Sequence, residues 1–107
     1  MKPETYNRWE KALGNLEEAD ELKKLGKSEK ATEKATAAFW EAMQAWWTLS
    51  EEMEMPDLRT YANNAAHEWI EFRDGKHYAP NKMVDWVRGS LKRLSDYLPP
   101  DTFRPLS

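Results

Sequence analysis

The stretch from residue 31 to residue 53, ATEKATAAFWEAMQAWWTLSEEM, limits what this chain can fold into more than any other. Ala31, Ala35, Ala38, Phe39, Ala42, Trp46, Leu49 and Met53 recur at i, i+3, i+4 and i+7, the spacing of one helix face. A second apolar row, Trp40, Met43 and Trp47, stands about a third of a turn away at ~100° per residue. The rest of the circumference is polar: Glu33, Lys34, Glu41, Gln44, Thr48, Glu51 and Glu52. A single apolar stripe is satisfied by one neighbouring layer. An arc this wide needs two neighbours, or one neighbour and a partner.

The other segments supply neighbours of the same kind. Tyr6, Trp9, Leu13 and Leu16 form a stripe that drifts on through Ala19 and Leu22. Pro3 suits a first helical position, with Glu4 and Glu10 near the positive end of the dipole. Gly14 lies inside this helix, where the chain either bends or meets another backbone closely. Lys23 and Lys24 suit the last turn, Gly26 a helix end, and Ser28 the cap of the next helix. So short a connection predicts an antiparallel hairpin. Pro56 ends the second helix, because the residue before a proline disfavours helical torsions. Pro56 or Asp57 opens the third. There Leu58, Tyr61, Ala62, Ala65, Trp69 and Phe72 share a face, with Ala66 and Ile70 beside it. Asp74-Gly75 marks a turn. Pro80, or Asn81 as the alternative cap, opens a fourth helix with a stripe of Met83, Val84, Val87, Leu91, Leu94 and Leu98, flanked by Trp86 and Tyr97. Pro99-Pro100 stops it.

The expected fold is all-α: one domain over residues 1–107, a compact bundle of four helices with short antiparallel connections. The helices are predicted at about 3–25, 29–54, 57–73 and 80–98, with an extended C-terminal tail at 99–107. A chain of 107 residues buries somewhat over ~60% of its unfolded surface, enough for one core. Six Trp, four Tyr and three Phe provide large burial per residue. No cysteine is present, which excludes disulfides, thiolate metal sites and a Cys nucleophile and suits a reducing cytoplasm. No run of ~18 apolar residues predicts a membrane span, and MKPETYNRWEK is too polar for a signal peptide.

Charge is uneven. Residues 1–57 carry 8 Lys and Arg against 13 Asp and Glu, and residues 58–107 carry 8 against 6, so the net −3 divides into −5 and +2. Acidic residues cluster at Glu17, Glu18, Asp20 and Glu21, and again at Glu51, Glu52, Glu54 and Asp57. Such runs are usually solvated helix faces. They also repel phosphate backbones and favour a partner with a basic surface.

Chemistry-bearing constellations are few. His67, Glu71, Asp74 and His77 alone have metal-ligand types. They lack the paired Glu-x-x-His of bundle metal sites and the second histidine of a zinc-protease helix. No metal or cofactor is therefore expected, and chelators should leave stability unchanged. The serines lack a nucleophile-elbow context, and four glycines are too scattered for a phosphate loop. Lys82, Arg88, Lys92 and Arg93, preceded by Arg73 and Lys76, give helix four some basic character, and Trp86 could stack on a base. Asp85 and Asp96 interrupt that face.

The tryptophans carry the remaining weight. Trp9, Trp46 and Trp69 lie on main stripes and read as core. Trp40, Trp47 and Trp86 lie off them, and an uncovered aromatic patch marks a contact site. The expected function is a non-enzymatic protein–protein interaction module, of the kind that serves bacteria and phages as a small inhibitor or adaptor. Trp40, Met43, Trp47, Glu51, Glu52 and Glu54 form the expected partner-binding set. The partner has a basic surface, or the same row is buried in a homodimer. At least one of Trp40 and Trp47 should then be exposed in the isolated chain. A nucleic-acid-binding domain using helix four is the alternative, and a metal-dependent enzyme around His67 the third reading.

Overall fold

The computed structural model describes residues 3–74 and 80–96. They form the helices α1 (Pro3–Lys24), α2 (Ser28–Glu52), α3 (Pro56–Asp74) and α4 (Pro80–Asp96), with no strand among the described residues. The predicted tail at 99–107, together with Tyr97 and Leu98, lies outside the described residues, as do Lys76 and His77.

Each helix buries the stripe that its spacing marks, with local exceptions. In α1, Trp9, Leu13 and Leu16 are buried with Ala12 and Ala19. Tyr6 is not part of that stripe: it is largely exposed, and Thr5 takes the inward position one residue earlier. Thr5 is tolerated there because its hydroxyl donates a 2.7 Å hydrogen bond to Glu52 Oε1. Gly14 marks no close approach, since a Cβ added there would meet nothing within 4 Å. Along α2 the buried set runs from Ala31 to Leu49 and adds Ala45 and Ser50. Met53 falls outside it, because α2 ends at Glu52 and leaves Met53 exposed in the following turn. In α3, Leu58, Ala62, Ala65 and Trp69 are buried; in α4, Met83, Val84, Val87, Leu91 and Leu94.

Two turns close in one way. After α1, Lys27 N–H donates to Leu22 C=O and Gly26 N–H to Lys23 C=O, with Gly26 at φ 76°. After α2, Met55 N–H donates to Ser50 C=O and Glu54 N–H to Glu51 C=O, with Glu54 at φ 52°. Both are left-handed terminations in which the freed carbonyls of the last turn are satisfied. The first displaces the expected cap: α2 starts at Ser28, preceded by Lys27, which gives no side-chain cap. The turn brings Lys27 C=O directly into the first helical bond, to Ala31 N–H, and leaves no extended residue for Ser28 to occupy.

Among the described residues α1 and α2 share the most extensive contact, α2 also packs on α3 and α4, and the backbones of α1 and α3 do not approach closely. α3 meets α4 at only a few points along the backbone. The space between them is filled by rings. Phe39 stacks on Trp69 at 5.2 Å between centroids, Trp86 lies 5.5 Å from Trp69, and Phe72 stacks on Trp86 at 5.3 Å.

Candidate partner-binding surface

Three tryptophans, Trp9, Trp46 and Trp69, are enclosed in the core. Trp40 and Trp47 are not: they retain 38% and 40% exposure on the outward side of α2. The spacing of seven residues places them on one line, two turns apart. Met43, between them in sequence, turns the other way. At 7% exposure it belongs to the core, unlike the two tryptophans of its row.

Neither exposed ring stands alone. Trp40 meets Phe39 edge-on at 5.2 Å, which ties its inner edge to the aromatic core. Trp47 lies under Arg59 of α3, whose guanidinium carbon is 4.5 Å from the ring centroid. Arg59 Nη2 also reaches Glu51 Oε1 at 3.5 Å, while its Nε–H is enclosed without a hydrogen-bond partner. The cation is thus held by a π face and a carboxylate together. Glu51 is exposed and pairs with Arg59, while Glu52 is half-buried and accepts from Thr5. Glu54 and Asp57 are the exposed carboxylates beside them.

Ile70 and Met55 belong to the same region and are absent from the sequence-derived set. Ile70 lies three turns along α3 from Arg59, on the side that Arg59 turns towards Trp47, and is 41% exposed. Met53 and Met55 are exposed in the turn between α2 and α3. Ile70 was marked only as a sideways extension of its stripe. The structure leaves it exposed on α3.

The other candidate regions are arranged differently. Trp86 is partly buried among Phe39, Trp69 and Phe72. Arg88 pairs with Asp20 of α1, Arg93 with Glu68 of α3 at 3.2 Å, and Asp85 receives Lys23 at 2.9 Å. Glu18 pairs with Lys34 at 3.0 Å, so the first acidic cluster is also drawn into contacts between helices. No group of three His, Cys, Asp or Glu among the described residues is placed to hold a metal ion. His77 lies outside them. A cleft between α3 and α4, about 200 Å³, is lined by Tyr61, Asn64, Glu68, Ser90 and Arg93. No helix among the described residues is long and apolar enough to cross a membrane. Compared with protein-family models, curated proteins and solved structures, the chain matches none.

Proposed function

We propose that this chain is a non-enzymatic protein-interaction module that holds a partner on the outward side of α2 and its edge with α3. The observation that carries the reading is the pair Trp40 and Trp47, two large rings each left about two-fifths exposed on one line of the longest helix. A core that already encloses three tryptophans has no need of two more at its surface. Exposed aromatic groups beside polar ones are the side chains that dominate interface energetics. Glu54 and Asp57 beside them favour a partner with a basic surface, and association is then faster at low salt. Binding of this kind inhibits or scaffolds according to what the partner's covered surface does. The absence of cysteine suits a reducing compartment such as the cytoplasm.

The reading includes consecutive helices that run antiparallel. Polar contacts between α1 and α2 support this, since they link Thr5 with Glu52, Arg8 with Gln44 and Glu41, and Glu18 with Lys34, the partner's number falling as the first rises. Nucleic-acid binding through α4 is the weaker reading: Arg88 and Arg93 pair with acids of neighbouring helices and Trp86 packs among other rings, which leaves the exposed Lys82 and Lys92 to carry it.

The test is capture of a partner from the source cell by the native chain, compared with Trp40→Ser and Trp47→Ser. Each substitution should weaken capture at least ~10-fold, the effect of losing one aromatic anchor. A partner retained equally well by both variants would end the reading.

A further inference from the structure

We infer that the cleft between α3 and α4 binds a small neutral molecule of one ring, a pyridone- or pyrimidine-like heterocycle with a hydrogen-bond acceptor beside a donor. This goes beyond the protein-binding reading and does not depend on it. The sign of a ligand is Ser90. It lines the cleft, it is 2% exposed, and its hydroxyl has no hydrogen-bond partner among the described residues. Other hydroxyls in the helices are satisfied within the chain. Thr32, Thr36, Thr48, Thr60 and Ser95 each donate to the carbonyl four residues back, Ser50 donates to the one three back, and Thr5 donates to Glu52. Ser90 lies inside α4, where the Trp86 carbonyl offers the same back-bond, and does not take it. A buried hydroxyl left unbonded is costly, so an orphan at the wall of a cleft marks a group kept for something that enters.

Size and charge choose the occupant. The cleft holds about 200 Å³. An apolar cavity of ~150 Å³ takes benzene, so this space suits one six-membered ring with a small substituent or two, and not a fused pair. Tyr61, Ala65 and Leu94 line it with carbon surface for the faces of such a ring. Arg93 Nη2 and Glu68 Oε2, also in the lining, stand 3.2 Å apart and are exposed. Their contact uses one N–H and one oxygen, so each group keeps further hydrogen-bonding capacity. Their charges cancel. A charged ligand would have to part the pair to be held by one half of it. A neutral edge meets both halves, its acceptor taking the guanidinium and its donor the carboxylate. A second acceptor across the ring then takes the Ser90 hydroxyl. α3 and α4 meet at few backbone points, so entry displaces side chains and leaves the backbone contact in place.

The experiment titrates the isotope-labelled full chain with uracil and with pyridone and follows the backbone amides by NMR. Amides around Ala65 and Ser90 should shift and saturate, with a Kd of ~1 mM or tighter, the range open to so few atoms. Toluene, benzoate, benzamidine and adenine probe polarity, charge and size, and each should bind at least ~3-fold more weakly. Ser90→Ala should weaken uracil binding by ~3–10-fold, the share of one hydrogen bond. It should also raise the melting temperature of the unliganded chain, because the unbonded hydroxyl is gone. Ala65→Leu, which fills the cleft, should abolish binding in a chain whose circular dichroism is native. No saturable shift with either heterocycle overturns the inference. So does an equal or higher affinity for any of the four control compounds, or an affinity indifferent to Ser90→Ala. A Ser90→Ala variant less stable than the native chain overturns it as well, since the hydroxyl then has a use inside the fold.

Discussion

The two halves of this bundle are packed with opposite materials. α1 and α2 carry most of the buried alanines, Ala12 and Ala19 on one helix and Ala31, Ala35, Ala38, Ala42 and Ala45 on the other, beside the larger Trp9, Leu13 and Leu16 of α1. Small residues let two backbones approach and share an extensive contact. Where α2 meets α3 and α4, Phe39, Trp69, Phe72 and Trp86 form a ring cluster, and rings rather than backbone contact join α3 to α4. This second contact depends on a few large side chains, each carrying much of the burial. The two halves should therefore fail in opposite ways, the alanine side to enlargement and the aromatic side to truncation.

The largest expected effect is on the aromatic side. Trp69→Ala should destabilise by ~3–5 kcal/mol in a chemical melt, because the ring is enclosed and stacked on Phe39. A loss under ~1 kcal/mol would show that the cluster does not hold α3 and α4 in place. Next comes Ala45→Leu on the alanine side, expected to cost ~1–3 kcal/mol by overpacking, whereas Leu91→Met in α4 should cost under ~1.5 kcal/mol. If the enlarged Ala45 variant is as stable as the native chain, the close contact is not close. The smallest effects come from the two turns. Gly26→Ala should destabilise by ~1 kcal/mol through its positive φ alone, since a Cβ there meets no atom within 4 Å. Glu54→Gly should do the reverse and stabilise by ~0.5–1 kcal/mol, measured in the same melt. A destabilised Glu54→Gly variant would mean that the Glu54 side chain makes contacts that outweigh its backbone conformation. Gly14→Ala should also stabilise, by up to ~1 kcal/mol.

Much of this contrast is legible in the residues. Helical spacing marks the four helices, and their ends lie within about two residues of expectation wherever the chain is described. Spacing also places Trp46 and Trp69 in the core and finds the row containing Trp40 and Trp47. It cannot decide between neighbours near the boundary of an arc. Met43 and Tyr6 illustrate this: each lies on a plausible stripe, but the first faces in and the second out, because the position of the next helix, and not the periodicity, determines which edge is covered. Ser28 failed as a cap for a different reason, since the left-handed turn at Gly26 already fixes how the chain enters α2. Of the proposed surface, spacing marks only the α2 side. Arg59 joins it through a contact between helices, and the acids at 51 and 52 look free in sequence only because Arg59 and Thr5 are distant in number.

The loose attachment of α3 carries a consequence for motion. Among the described residues α3 rests on α2, meets α4 at few backbone points and makes no close backbone approach to α1. Detaching it leaves the α1–α2 contact intact, so its opening free energy lies below that of global unfolding. Hydrogen exchange should therefore record two tiers, with the amides of α3 exchanging through a partial opening and those at the centre of α2 only through complete unfolding. A partner seated across α2 and α3 bridges the tiers: it would slow exchange in α3 while scarcely changing the centre of α2, and its affinity would include the work of keeping α3 docked.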